Sequence, residues 1–201
     1  SPLLYYPISQ ARLVENLDVY VSSDSREILD YSKSLGASIL ERPHGISNDL
    51  SLDLEGFTHF FSIHKNYDYA IHLRATFPLI TDKIIQDANN LFLEHYDHID
   101  SLRSMIPATQ NPYKMWHVVD GKASTVISDH QLHSHPRQLI EKSYMQNACI
   151  DIVKRETILE KKSMVGQNCL AFVMNSNFNI DIDTERDLKE AENALRFRNG
   201  E

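Results

Sequence analysis

The sequence contains no long apolar run and no charged start followed by a short apolar stretch and a small-residue cleavage site. A helix that spans a bilayer needs about 20 consecutive apolar residues, so the expectation is a soluble chain with no membrane partner and no export signal. Positive charge is also scarce: 20 Lys and Arg stand against 28 Asp and Glu, a formal net charge of -8. A phosphate backbone or an anionic membrane would be repelled by such a surface, which excludes non-specific nucleic-acid binding. An anionic ligand would need a local basic group or a metal ion. Cysteine is limited to Cys149 and Cys169, which lack metal-ligand spacing and lie in apolar runs; buried thiols in a reducing cytoplasm are expected. No internal repeat or low-complexity linker divides the chain. Its 42% hydrophobic composition is enough for a core, so residues 1–201 read as one domain.

The most informative stretch is Ile180-Asp181-Ile182-Asp183-Thr184-Glu185-Arg186-Asp187-Leu188. Alternation in its first half predicts a strand end with both isoleucines on one face and Asp181 and Asp183 on the other. Thr184, with Asp187 three residues on, then reads as a helix N-cap, and Leu188, Ala191, Ala194 and Leu195 supply an apolar stripe. Two carboxylates on one strand face would lie about 6.6 Å apart. Their repulsion is about 2.5 kcal/mol at an effective dielectric of about 20, so a site that holds them together gains from a hard cation. Mg²⁺ takes one or two protein carboxylates and leaves its other positions to water and phosphate oxygens. The same residues also serve simply to solvate a strand end and complement the positive helix terminus.

Upstream, helices alternate with short strands. Helices are predicted over 7–16, 26–35, 52–63, 81–93 and 155–161, and strands over 18–22, 37–40, 69–73, 144–153 and 169–174. Asp24 with Glu27 reads as the cap of the second helix, which Gly36 stops. Such alternation implies an α/β fold with a mostly parallel sheet, helices on both faces, and ligands at the carboxyl ends of the strands. Asp24, Arg42, Asp49, Arg74, Thr76, Asp181 and Asp183 all fall at or just after predicted strand ends. Residues 106–137 break the rhythm with Pro107, Pro112 and Pro136, a lone Trp116, and a hairpin turn at Val118-Val119-Asp120-Gly121. His130, His133 and His135 there have no cysteine to join them as zinc ligands. The segment reads instead as an extension that packs on a partner subunit or covers a ligand.

Five stretches, in this order, resemble the acylneuraminate cytidylyltransferases, the synthetases of CMP-sialic acid and of related CMP-nonulosonic acids: DVYVSSDS, ERPHGISND, HLRATFPL, RQLIEKSYMQNACI and IDIDTERDLKEAE. The resemblance implies a Rossmann-like nucleotidyltransferase sheet with a protruding dimerisation extension, a homodimer, and a cytoplasmic location. It implies a reaction in which the 2-hydroxyl of a 2-keto sugar acid attacks the α-phosphorus of CTP to give a CMP-sugar and pyrophosphate, with Mg²⁺ on the acidic pair. Asp181 and Asp183 take the catalytic metal role. Arg42, Asp49, Arg74 and Thr76 line the nucleotide and sugar pocket, with Gln138 and Asn147 on the sugar side, and Arg74 is the expected partner of the sugar carboxylate.

The chain departs from the family pattern in three places. Arg74 stands where many relatives have glutamine, and Asn147-Ala148-Cys149 stands for the usual Asn-Gly-Ala. The family's glycine- and lysine-rich triphosphate loop and first strand have no counterpart, so the expectation is that an N-terminal piece precedes Ser1 and that these residues alone turn over CTP poorly. Two other functions share the acidic signature: a glycosyltransferase-like domain that holds a nucleotide sugar, and a non-catalytic Rossmann-like binding module.

Overall fold

The computed structural model describes residues 1–128, 131–175 and 180–199. Its elements are α1 (Tyr5–Ala11), β1 (Tyr20–Ser23), α2 (Arg26–Ser34), β2 (Ser38–Glu41), α3 (Asp53–Ile63), β3 (Tyr69–Leu73), α4 (Asp82–Glu94), β4 (Ser101–Pro107), β5 (Trp116–Val119), β6 (Lys122–Thr125), β7 (Tyr144–Lys154), α5 (Arg155–Leu159), β8 (Cys169–Val173) and α6 (Glu185–Asn199). The central sheet has the order β3-β7-β4-β8. Strand β7 runs antiparallel to both β3 and β4, while β8 is parallel to β4. Three of the four strands therefore share one direction. A separate parallel pair joins β1 to β2, and β5 with β6 forms the hairpin.

Parity along the strands shows which helix covers which face. Tyr69, Ile71 and Leu73 of β3 and Ile150 and Ile152 of β7 enter one apolar cluster with Ile85, Ala88 and Phe92 of α4 and Leu195 of α6. Ala70 and Val153, the alternate residues, enter a second with Phe61 of α3 and Ile158 of α5. Successive strand side chains point to opposite faces, so α4 and α6 cover one side of the sheet and α3 and α5 the other. On that second face His72 lies across from Asp151, and Asp151 across from Arg103. A row of ionisable residues thus crosses three strands beneath α3.

Local chemistry sets several element ends. Ser25 caps α2 by accepting from Ile28 N at 3.4 Å. Asp24, the expected cap, instead faces His44 at 3.4 Å. Gly36 ends α2 with φ +81°, and a Cβ there would lie 2.7 Å from the Arg12 guanidinium. Asp100, at the opposite end of the sheet from the candidate residues, accepts from Lys161 and from the Gln167 and Asn168 amides. The Lys161 ammonium leads in holding its carboxyl down at about 2.

Two expectations require correction. Residues 180–183 form no strand: Ile182 N makes a single bond to Thr76 O at 2.9 Å. Asp187 Oδ2 accepts from the Asp183 amide, the Thr184 amide and the Thr184 hydroxyl, so the helix start takes the last amide of the expected strand, and the 6.6 Å spacing does not carry over. Residues 101–105, for which no element was predicted, and Ile106 and Pro107, expected to begin the extension, together form the interior strand β4.

Between Arg103 and Met105 the register of β7 shifts, so two steps along β4 match five along β7, from Asp151 to Gln146. Ala148 sits in this bulge at φ +55°. The left-handed region costs a residue with a Cβ about 1–2 kcal/mol, a cost glycine escapes. Ala148→Gly is expected to raise Tm by about 2–4 °C, measured by thermal unfolding followed by circular dichroism.

Candidate functional site

Because β7 runs backwards between β3 and β4, its amino-terminal half reaches the same sheet edge as the carboxyl end of β3. Arg74, one residue past β3, meets it there. Its Nη1 donates to Asp151 Oδ2 at 3.1 Å and to Ala148 O at 3.3 Å, and its Nη2 donates to Asp53 Oδ2 at 3.0 Å. Arg103 reaches Asp151 from the other side, with Nε to Oδ1 at 2.9 Å and Nη1 to Gln146 Oε1 at 2.8 Å. The Asp151 side chain is only 2% exposed. Two guanidinium groups therefore occupy both oxygens of a buried carboxylate, which such burial requires. His72, beside this row, is pushed below its ordinary pKa, first by burial and then by the Arg74 charge. It is neutral at pH 7.

The remaining candidates extend this edge. Arg42 follows β2, donates from Nη2 to Ser22 O at 2.6 Å, and lies so close to α3 that a Cβ on Gly56 would be 4.0 Å from its Nη1. The first turn of α3, Asp53 to Gly56, thus borders both Arg42 and Arg74. Thr76 is tied through its carbonyl to Ile182, which sets Asp181 and Asp183 beside the turn after β3. Asn147 is buried in the β7 bulge and donates to Met174 Sδ at 3.5 Å. Asp49 and Gln138 are exposed, the first at a turn where Asn48 Oδ1 accepts from Leu50 N, the second in a short turn at Arg137–Leu139. Neither joins the network. His133 touches Trp116 edge to face, and His130 lies outside the described residues.

Buried polar atoms are nearly always paired, so the exceptions are informative. Among the described residues they are Ser22 Oγ, Arg42 Nε, His59 Nδ1, His72 Nδ1, Asn147 Oδ1 and Asp181 Oδ1. Ser22 lies in β1, Arg42 just after β2, His72 in β3, Asn147 in β7, and Asp181 in the segment tied to Thr76. Asp181 Oδ1 is a shielded, unpaired carboxylate oxygen suited to a hard cation. No group of three or more His, Cys, Asp and Glu side chains forms a closed cage among the described residues. A metal that uses two carboxylates and draws its other ligands from water and phosphate fits such a site.

A family model described as cytidylyltransferase matches residues 1–195. The chain belongs to the cytidylyltransferase family. It is 30% identical over 190 residues to the CMP-N,N'-diacetyllegionaminic acid synthase of Campylobacter jejuni, covering 90% of this chain and 78% of that protein. It is 28% identical over 205 residues to post-translational flagellin modification protein B of Campylobacter coli, covering 98% and 85%. An N-acylneuraminate cytidylyltransferase of Escherichia coli is 28% identical over 194 residues and 95% of this chain, but the match spans only 45% of that enzyme. Among solved structures, a CMP:2-keto-3-deoxy-manno-octonic acid synthetase complexed with CTP superposes with a TM-score of 0.73 at 11% identity, covering 98% of this chain and 89% of that one. The fold is accordingly the Rossmann-like one of nucleotidyltransferases. No described helix of this cytidylyltransferase is long and apolar enough to cross a membrane.

Sequence reasoning missed Asp53, His72, Arg103, Gln146 and Asp151. The alternation Ile150-Asp151-Ile152 was a usable signal, since a charged residue between isoleucines in a strand buried on both faces needs a partner.

The charge balance around Asp151 yields a prediction. Asp151→Ala leaves Arg74 and Arg103 without their shared acceptor and is expected to lower stability by about 3–5 kcal/mol. Asp187→Ala, which removes only solvent-exposed hydrogen bonds at a helix start, is expected to cost much less. Urea unfolding of both variants measures the difference.

Proposed function

We propose that this cytidylyltransferase couples CTP to a nonulosonic, sialic-type 2-keto sugar acid, releasing pyrophosphate and a CMP-sugar for surface glycans. The observation that carries the reading is the set of unpaired buried polar atoms at one sheet edge, from Arg42 through Asn147 to Asp181, in a chain whose relatives are named for that chemistry. Anionic substrates need donors, and Arg42 and Arg74 both border the first turn of α3. Asp181 and Asp183 would hold Mg²⁺, which when bound neutralises charge on the transferring phosphate. Thr76 fixes the acidic segment through its carbonyl, Arg74 receives the sugar carboxylate, and Asn147 offers its free Oδ1 to a sugar hydroxyl. Asp49 and Gln138 lie on exposed turns from which they would close over substrate. Most of the work in such a transfer is positioning and charge stabilisation, which suits a site built from pre-paired side chains.

The reaction is tested by measuring pyrophosphate release from CTP and Mg²⁺ with a panel of nonulosonic acids and 3-deoxy-octulosonic acid, using the protein expressed from its natural start codon. Release that depends on one sugar acid and falls at least a hundredfold in Asp183→Asn is expected. A folded protein that releases none with any acid would favour the binding-module reading.

We also infer a homodimer formed through the extension. Every residue of β5 is exposed, with Val118 at 71% and Val119 at 67%, and Trp116 and Met115 are also open to solvent. Apolar surface of this kind marks an interface. Light scattering at micromolar concentration is expected to give twice the mass of the chain, and Val118→Asp combined with Val119→Asp to give the monomer.

A further inference from the structure

Arg74 holds its two carboxylates unequally. Asp151, 2% exposed, binds Nη1 at 3.1 Å, whereas Asp53, 50% exposed, binds Nη2 at 3.0 Å. A buried pair is costly to break because it strands a charge, while a half-exposed one is readily replaced by water or another anion. Asp53 is also not needed to start its helix. Glu55 does that, its Oε2 accepting from Leu52 N at 2.8 Å. The other charged or titratable neighbour of Asp53 is His72, whose Nδ1 lies 3.8 Å away and is held in its neutral form by burial. Among the described residues, nothing else anchors the Asp53 carboxylate.

We propose that Asp53 is an internal competitor for the substrate: it occupies the outer nitrogen of Arg74 in the free enzyme, and the carboxylate of the incoming sugar acid displaces it. Asp151 and the Ala148 carbonyl keep the guanidinium in place during the exchange, so the arginine need not move. One carboxylate enters and one leaves, and the charge on Arg74 stays balanced throughout. A sugar without a carboxylate cannot make the exchange, because it would leave Asp53 in place. Asp53 therefore sets a threshold that favours acids over neutral sugars, at the cost of some affinity. This inference rests on the reading of the reaction as transfer to a sugar acid.

Steady-state pyrophosphate release with N-acetylneuraminic acid and the other acids of the panel tests it, in wild type, Asp53→Asn and Asp53→Ala. The KM for the sugar acid is expected to fall about two- to fivefold relative to that for CTP in both variants, the range spanned by a half-exposed ion pair. A KM for the sugar acid that is unchanged or raised in both would overturn the displacement. So would a loss of more than about 5 °C in Tm in both, which would make Asp53 a structural anchor. Failure of the wild type to use any acid appears before the variants are compared. It would sink the reaction and this inference together, whereas an active wild type with unresponsive variants sinks only the inference.

Discussion

The carboxylate of Asp151, held between Arg74 and Arg103, is the interaction on which the rest of this edge depends. An aspartate buried to this degree is tolerable only with both oxygens paired, and the two arginines come from the residue after β3 and from β4, the neighbours of β7. Satisfying that one group therefore ties β3, β7 and β4 together where the candidate residues cluster. It also leaves Arg74 with an outer nitrogen turned to Asp53 and α3, so the same pairing that stabilises the sheet orients a cation toward the edge where substrate would arrive.

That arrangement requires β7 to run against its neighbours. Were it parallel, its amino-terminal residues would lie at the far end of the sheet, beside Asp100 and Lys161. Reversed, β7 delivers Gln146, Asn147 and the Ala148 carbonyl to the carboxyl ends of β3 and β4. The bulge sharpens this placement, since the five-residue advance of β7 against two of β4 turns the Ala148 carbonyl to Arg74. Two of the three departures expected from the resemblance, Arg74 and Ala148, are thus in direct contact.

The acidic segment depends on the same edge by a different route. Its backbone is divided between Thr76, which accepts from Ile182, and Asp187, which accepts from Asp183 and Thr184. The Thr184 hydroxyl leads in lowering the Asp187 pKa, so this helix start is ionised and intact at neutral pH. Asp181, shielded and unpaired, and Asp183, exposed, are left as the acceptors.

Much of this was legible in the sequence. The alternation of short apolar runs with capped amphipathic stretches gave the α/β class, the Thr184–Asp187 cap, the Val118–Gly121 turn and a set of polar residues at strand ends, because these depend on neighbours within a few positions in the chain. The partners of Arg74 were not legible: Asp53 is 21 residues away and Asp151 is 77, and no local pattern links them. The strand expected at Ile180–Asp183 failed for the converse reason, since alternation only permits a ladder, and here the Asp183 amide goes to the helix start and the Ile182 amide to the turn at Thr76. Residue chemistry by itself determined which side chains are suited to anions and which to cations. The direction of β7, settled by packing on both faces of the sheet, decided which of those residues meet.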